Sequence, residues 1–219
     1  MCLLSYIPQP DAGLGPILTS NRDISIHRPA ADSIMERDYN GKTVAYPRDY
    51  KGGSWMAYDQ QQMIFLLNGY KINHQSREAY ARSRGLILLD LFIAPSTIDA
   101  WATIDLTDIE PFTIVYFSEE GLYEFGWDEN RKFKTALNLE QSHLWMSSTL
   151  YTETDKQRIW KAFKEMRNPT SLDLLEFNES NNYAAIKIPS EKIERVETVC
   201  TYQLLRDKKH IRHIELIHQ

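Results

Sequence analysis

The apolar residues of this chain fall in short runs, each closed by proline, glycine or polar residues, and no other sequence feature limits the fold as much. The most apolar run after the N-terminus, 86–94, contains Asp90. It is far shorter than the about 20 apolar residues of a membrane-spanning helix. Short runs of this kind form the strands and helices of a packed core. We therefore expect a globular protein without a membrane span.

The spacing of apolar residues within each run separates strands from helices. Short runs bounded by turn residues predict strands at 2–7, 17–21, 43–46, 54–58, 63–68, 113–117, 122–127, 144–150, 198–206 and 210–218. Apolar residues at helical spacing predict helices at 76–94, 96–108, 154–166 and 171–177. This order of elements favours an α+β fold in which helices cover a largely antiparallel sheet.

Composition narrows the class of protein further. The 219 residues suffice for one domain, 1–219, and 25 basic against 30 acidic residues give a net charge of -5 without a block of either sign. This balance argues against nucleic acid as a partner. Cys2 and Cys200 cannot build a disulfide framework, and the first residues lack the basic segment of a signal peptide, so we expect a cytoplasmic protein. No zinc-ligand spacing is present, and we predict no metal and no cofactor.

Cys2 carries the strongest chemical signal in the sequence. Removal of Met1 would place a thiol and a free α-amino group on one residue. An α-amine with a pKa near 8 can act as a general base at neutral pH, and a thiol is a strong nucleophile. Cys2 is therefore a candidate N-terminal nucleophile that needs no separate histidine. The alternative is a small buried side chain at the start of a strand.

Six separated motifs resemble those of one family. They are Cys2, Asn21-Arg22-Asp23, Arg28-Pro29, Gly52-Gly53-Ser54-Trp55, Asn68 and Ser83-Arg84-Gly85. On these residues the chain resembles the NRDE family, also called the TANGO2-like or transport and Golgi organisation 2 family. The resemblance covers the first two fifths of the chain well and the remainder loosely.

The resemblance implies both a fold and an activity. The family belongs with the N-terminal-nucleophile hydrolases, which implies a four-layer αββα sandwich of two antiparallel sheets between helix layers. Similar cysteine amidases, of the bile-salt-hydrolase and penicillin-V-acylase type, use an arginine, an aspartate and an asparagine. By motif position this implies a catalytic group of Cys2, Asn21, Arg22, Asp23 and Asn68. The implied partner is a small molecule with a non-peptide amide bond.

Each predicted catalytic residue also has a physical rationale. Arg22 near the thiol would favour the thiolate, and Asp23 could orient the α-ammonium group or a water. Asn68 at a strand end could donate an amide N–H to a developing oxyanion. The alternatives are a structural ion pair for Arg22 and Asp23, and a turn residue for Asn68.

Three further residues are predicted to contribute to binding, and the late part of the chain departs from the family. Trp55 is expected in the wall of a cleft, Arg28 in the loop after the second strand, and Ser148 stands where the family usually has asparagine. Ile24 replaces the glutamate of the name-giving motif, and a Gly-Thr-Arg pattern is absent around Val199. A second hypothesis is therefore a non-catalytic member that binds haem or another hydrophobic small molecule, and a third is a fold without chemistry. The oligomeric state is left open.

Overall fold

The computed structural model describes residues 3–8, 15–29, 31–187, 194–207 and 210–218. Cys2 lies outside the described residues. The chain divides into two compact units: a first unit of Met1–Arg28 and Glu140–Gln219, and a second unit of Pro29–Leu139. The prediction that 1–219 form a single domain stays a prediction.

Thirteen strands and four helices follow one another in the described part of the chain. The strands are β1 Leu3–Ile7, β2 Ile17–Ser25, β3 Ile34–Tyr39, β4 Lys42–Pro47, β5 Met56–Tyr58, β6 Met63–Asn68, β7 Phe112–Ser118, β8 Gly121–Trp127, β9 Lys132–Leu137, β10 His143–Met146, β11 Ala184–Lys187, β12 Glu194–Asp207 and β13 His210–Ile217. The helices are α1 Arg84–Ile93, α2 Thr97–Thr103, α3 Glu153–Glu165 and α4 Ser171–Ser180. Within the described ranges, no helix has the length and apolar character needed to cross a membrane.

The first unit is built on a six-stranded antiparallel sheet in the order β10, β1, β2, β12 and β11, with β13 paired to β12. β1 and β2 form an antiparallel pair, in which Leu3 is paired with Asn21. Helices α3 and α4 pack on one face, where Leu3 lies in an apolar cluster with Phe163 and Leu174. Both helices begin with capping boxes, which fix where they start.

The second unit is a seven-stranded antiparallel sheet whose strands lie side by side in chain order from β3 to β9. Helices α1 and α2 cover one face of it through a large apolar cluster. At its centre, the ring of Trp101 stacks on Phe125 at 5.0 Å and meets Phe112 edge-on at 5.9 Å. Phe92 of α1 is fully buried in the same cluster. The helix-covered face of this unit is therefore held by apolar packing.

Two glycines allow α1 to approach the start of β5. A Cβ atom on Gly53 would lie 2.8 Å from the carbonyl carbon of Gly85, and one on Gly85 would lie 2.7 Å from the carbonyl oxygen of Ser54. Ser83 caps α1 by accepting the backbone N–H of Gly85. The motifs Gly52-Gly53-Ser54 and Ser83-Arg84-Gly85 thus allow close packing of α1 against the start of β5.

The two antiparallel sheets and four helices confirm the α+β class, but several element boundaries differ from the prediction. The helix predicted over 76–94 begins only at Arg84, because the preceding segment is held as a loop. In that loop Arg77 pairs with Asp108 at 2.7 Å and Ser76 donates to Glu110 at 2.8 Å. The predicted strand 144–150 ends at Met146. Strands β3, β9 and β11 were not predicted; in β3 and β9, exposed charged residues obscure the alternation.

Candidate active site

The Asn21-Arg22-Asp23 motif lies in β2, where successive side chains point to opposite faces of the sheet. Asn21 bonds to α4 and Asp23 to the segment that leads into α3, so both lie on the face that the helices cover. Arg22 lies on the opposite face, and its partner on β12 is Cys200. All three side chains of the motif are buried. The motif therefore places polar groups on both faces of the sheet at one point.

Asn21 ties β2 to α4. Its Nδ2 donates to the carbonyl oxygen of Asn178 at 2.9 Å and to Oδ1 of Asn182 at 3.4 Å. Its Oδ1 accepts from Nδ2 of Asn178 at 2.9 Å and from the hydroxyl of Thr201 at 3.0 Å. Both ends of the amide are thus engaged by protein groups, which gives Asn21 a structural role. The catalytic role predicted for it stays a prediction.

Asp23 is held by two hydroxyl groups, one on each carboxylate oxygen. The phenol of Tyr151 donates to Oδ2 at 2.9 Å, and the hydroxyl of Thr198 donates to Oδ1 at 2.6 Å. Asp23 itself is only 3% exposed. Hydrogen bonds to a carboxylate favour its charged form, so these contacts support a buried negative charge at this point.

A β-bulge in β12 places the hydroxyls of Thr198 and Thr201 on the same face of the sheet. Asp23 is paired with Thr198, Arg22 with Cys200 and Asn21 with Thr201, with the register shift between Thr198 and Cys200. In a regular strand, residues three apart point to opposite faces. The extra residue of the bulge places Thr198 and Thr201 on the same helix-covered face instead.

The opposite face of the sheet carries Arg22 beside Cys200. Burial raises the pKa of the Cys200 thiol to about 11, and the positive charge of Arg22 opposes that rise. Cys200 is a free, buried cysteine. It is therefore a protonated, unreactive thiol at neutral pH. The charge of Arg22 thus favours the thiolate form of Cys200 on the neighbouring strand, although burial outweighs this effect. The sequence predicts the same kind of effect of Arg22 on Cys2.

The start of β1 lies between two strands of the sheet. Leu3 is paired with Asn21 of β2 on one side and with Met146 of β10 on the other. Cys2 directly precedes Leu3 in the chain and lies outside the described residues. The first described residue of β1 is therefore paired with the strand that carries the Asn21-Arg22-Asp23 motif.

Ser148 lies in the turn that connects β10 to α3. It is 8% exposed, and its Oγ makes no hydrogen bond within the described part of the chain. In the same turn, the carbonyl of Ser147 accepts the backbone N–H of Tyr151 at 3.5 Å. Because Tyr151 also binds Asp23, this turn is linked to the candidate site of the first unit.

Two predicted residues lie in the second unit. Asn68 is the half-buried last residue of β6 and is followed by Gly69 in a left-handed conformation, with φ 78°. The N–H of Gly69 donates to the carbonyl of Pro111 at 3.0 Å, which fixes the end of the strand. Trp55 is buried just before β5, where its carbonyl accepts the N–H of Leu66 at 2.9 Å. Trp55 and Asn68 therefore lie toward the same end of β5 and β6.

The structure groups some of the predicted residues and separates others. Asn21, Arg22, Asp23 and the turn of Ser148 are connected within the first unit. Arg28 is exposed in the turn after β2, where its N–H donates to the carbonyl of Ser25. In the described residues, no group of three histidine, cysteine, aspartate or glutamate side chains could hold a metal ion.

Sequence reasoning missed Tyr151, Thr198 and Asn178, which contact the motif. Tyr151 is separated from Asp23 by 128 positions and Thr198 by 175 positions. Asn178 is 157 positions from Asn21 and lies one residue beyond the predicted end of its helix. Hydroxyl and amide side chains of this kind are common throughout the sequence, so no local pattern marks these three residues.

The fold is that of the N-terminal-nucleophile hydrolases. Two solved structures of conjugated bile acid hydrolase from Clostridium perfringens, an arginine-to-leucine variant and a cysteine-to-alanine mutant, are similar to the chain. Each has a TM-score of 0.59 and 9% sequence identity. The matches cover 98% and 99% of this chain and 92% of each solved chain. They confirm the predicted fold class.

The chain belongs to the Transport and Golgi organisation 2 family. The sequence profile of that family matches residues 1–210, which is nearly the whole chain. The resemblance seen in the six motifs is thereby confirmed, and it extends beyond the first two fifths. No curated protein matches the chain.

Proposed function

We propose that the protein is an N-terminal cysteine hydrolase that cleaves a non-peptide amide bond of a small molecule. The observation that carries the proposal is the pairing of Leu3 in β1 with Asn21 in β2, because the buried Arg22 and Asp23 directly follow Asn21. Cys2 directly precedes Leu3 in the chain. The N-terminal-nucleophile fold and the family support the same reading.

The charges of β2 would activate the nucleophile. The positive charge of Arg22 opposes the rise that burial causes in the pKa of the Cys200 thiol on β12, and a cation beside Cys2 would likewise favour its thiolate. Once Met1 has been removed, the α-amine of Cys2 accepts the thiol proton. Asp23, with its charged form stabilised by two hydroxyl groups, would hold the resulting α-ammonium group. No histidine is required.

The reaction would then follow two steps. The Cys2 sulfur attacks the amide carbonyl and forms a carbon–sulfur bond, the carbon–nitrogen bond breaks, and the α-ammonium gives its proton to the leaving amine. Water attacks the resulting thioester, with the α-amine taking its proton, and releases the carboxylic acid and the thiol. The oxyanion role predicted for Asn68 stays a prediction.

The remaining predicted residues would bind the substrate. The buried hydroxyl of Ser148, which makes no hydrogen bond to the described residues, is available to a substrate carbonyl. Arg28 is exposed and positively charged, which suits a carboxylate or sulfonate on the substrate. The binding role predicted for Trp55 stays a prediction.

The test is turnover of an amide panel by protein with an untagged N-terminus. The panel contains glycine and taurine conjugates of bile acids, N-acyl amino acids and phenoxymethyl penicillin, and the released primary amine is quantified. We expect hydrolysis of at least one member, and its loss in Cys2→Ala. Cys200→Ala is the matched control and should keep the activity, because Cys200 is a buried, protonated thiol.

Two outcomes would contradict the enzyme reading. One is a Cys2→Ala variant that hydrolyses the panel as fast as the unsubstituted protein. The other is a mature protein that retains Met1, because the acylated or extended amine could not act as the base.

A second candidate function is the binding of an amphiphilic anion such as haem, because the first unit holds a cleft of about 1020 Å³. Its lining includes the apolar Ile17 and Leu205, the cationic Arg167, Arg206 and Arg212, and the acidic Glu140 and Asp207, of which Asp207 pairs with Arg212. A volume of this order suits a small-molecule ligand. The cleft lies at the Ile17 end of β2, five residues from Arg22, or about 17 Å along the strand.

Haemin titration separates this candidate from the enzyme. Binding in the cleft predicts a Soret shift that persists in Cys2→Ala and weakens in the double variant Arg206→Ala/Arg212→Ala. An unchanged haemin spectrum, or a shift lost in Cys2→Ala alone, would exclude binding at this cleft.

A further inference from the structure

We infer that Tyr151 and Thr198 are positioning residues for the proposed hydrolysis, because together they hold the Asp23 carboxylate in one orientation and in its charged form. The inference rests on the proposed function, in which Asp23 binds the α-ammonium group of Cys2. Neither residue belongs to a motif of the sequence. Their assignment comes from hydrogen bonds that only the folded chain shows.

Tyr151 is fixed before it reaches Asp23. Its side chain is 6% exposed and belongs to the apolar cluster under α3 and α4. Its ring meets that of Tyr183 edge-on at 5.3 Å. A buried phenol needs a partner for its hydroxyl, and Oδ2 of Asp23 at 2.9 Å is that partner. The hydroxyl therefore donates to the carboxylate from a rigid ring.

The direction of the Thr198 hydrogen bond is set by Tyr183. The backbone N–H of Tyr183 donates to Thr198 Oγ1 at 2.7 Å, and the N–H of Thr198 donates back to the carbonyl of Tyr183 at 2.9 Å. Because the hydroxyl oxygen already accepts from the backbone, its own hydrogen is directed to Oδ1 of Asp23 at 2.6 Å. A carboxylic acid proton on that oxygen would compete with this hydrogen.

The two donors approach Asp23 from different elements. Tyr151 stands just before α3, and Thr198 stands at the bulge of β12. Tyr183 joins them, since its ring contacts Tyr151 and its hydroxyl donates to the carbonyl of Leu150 at 3.3 Å. One donor on each oxygen fixes the plane of the carboxylate, and such bonds to a charged group are stronger than those between neutral groups. The bulge thus orients the Thr198 side chain toward Asp23.

The experiment is a double-mutant cycle on the alkylation rate of Cys2. Tyr151→Phe and Thr198→Val each remove one hydroxyl with little change of shape, and Thr198→Ser keeps it. Each is made alone and with Asp23→Asn. The rate of Cys2 modification by iodoacetamide is followed by peptide mass spectrometry, with buried Cys200 as an internal reference and thermal unfolding measured in parallel.

We expect Tyr151→Phe and Thr198→Val to slow alkylation of Cys2 by about tenfold each, because each removes a hydrogen bond to a charged group. Thr198→Ser should react like the unsubstituted protein. In the Asp23→Asn background neither substitution should slow the reaction further, because both act through the same carboxylate.

The possible failures can be told apart. If Cys2 of the unsubstituted protein reacts no faster than Cys200, the proposed function fails and this inference fails with it. If Cys2 reacts fast but equally fast in Tyr151→Phe and Thr198→Val, only the positioning role is wrong. Slowing by the same factor with and without Asp23→Asn would also overturn it. If Tyr151→Phe does not fold, the comparison of Thr198→Val with Thr198→Ser decides.

Discussion

The two units cover their sheets with helices in different ways. In the second unit the interface of α1 and α2 with the sheet is a broad apolar cluster that includes Phe92, Trp101 and Phe125. In the first unit the face under α3 and α4 combines a smaller apolar cluster with a row of buried polar side chains along β2 and β12. Its members are Thr19, Asn21, Asp23, Thr198, Thr201 and Gln203.

The two units differ in the free-energy cost of the side chains that they bury under their helices. Buried polar groups cost free energy unless every hydrogen bond is made, whereas apolar burial stabilises directly. In the first unit the polar row coincides with the Asn21-Arg22-Asp23 motif, and its hydrogen bonds run to α4 and to the segment before α3. The buried polar groups that carry this cost therefore include the motif for which a catalytic role is predicted.

Truncation of the apolar cluster should have the largest effect on stability. Phe125→Ala removes a fully buried ring that stacks on Trp101, and we expect a loss of about 3–5 kcal/mol in the free energy of unfolding. Phe125→Leu is the control and should cost less than about half as much. Urea denaturation followed by tryptophan fluorescence measures both. Equal losses for the two variants would mean that packing at this position is loose.

Truncation of the polar row should cost less and should show coupling. Asn21→Ala leaves the amide of Asn178 without its side-chain partner, and we expect a loss of about 2–3 kcal/mol. The double variant Asn21→Leu/Asn178→Leu should cost clearly less than the sum of the single leucine substitutions, since neither side-chain amide is then left without the other. Additive losses in urea denaturation would show that the two amides do not act as a pair.

Loss of a single hydroxyl of the polar row should lower the free energy of unfolding by less than truncation of Asn21 does. Thr201 donates to Asn21 and lies 2.9 Å from Nε2 of His218. Thr201→Val keeps the shape and removes these bonds, so we expect a loss of about 1 kcal/mol. Thr201→Ser should be closer to the unsubstituted protein in the same denaturation assay. A valine variant as stable as the parent would mean that water replaces the hydroxyl.

The smallest effect on stability is expected at the surface. Arg28 is exposed in the turn after β2, and Arg28→Ala should change the free energy of unfolding by no more than about 0.5 kcal/mol. Its predicted binding role should appear instead as a several-fold rise in KM with little change in kcat for an anionic amide substrate. Arg28→Lys, which keeps the charge, is the control. If neither KM nor stability changes in Arg28→Ala, Arg28 has no binding role.

Much of the architecture could be predicted from local patterns. The antiparallel pair of β1 and β2 follows from two apolar runs joined by turn residues, and β6 has the predicted bounds, with Asn68 at its end. The first half of the helix predicted over 76–94 is wrong, because Ser83 caps the helix and the segment before it is a loop in which Arg77 pairs with Asp108. Strand β3 was not predicted, because its exposed charged residues interrupt the alternation of apolar and polar side chains.

The environment of the motif could not be predicted from the sequence. Regular alternation would place Thr198 and Thr201 on opposite faces of the sheet. The bulge in β12 between Thr198 and Cys200 places both on one face. Tyr151 and Asn178 reach the motif from distant parts of the chain. Such contacts depend on tertiary packing, so the sequence identifies the motif but not the groups that hold it.

The central claim, that the first unit carries an N-terminal cysteine nucleophile, is tested most directly by intact-mass analysis of protein with an untagged N-terminus, before and after brief treatment with iodoacetamide. The account predicts a mass without Met1 and rapid addition of one carbamidomethyl group that maps to Cys2, while buried Cys200 stays unmodified. Retention of Met1, or a Cys2 that reacts no faster than Cys200, would contradict it.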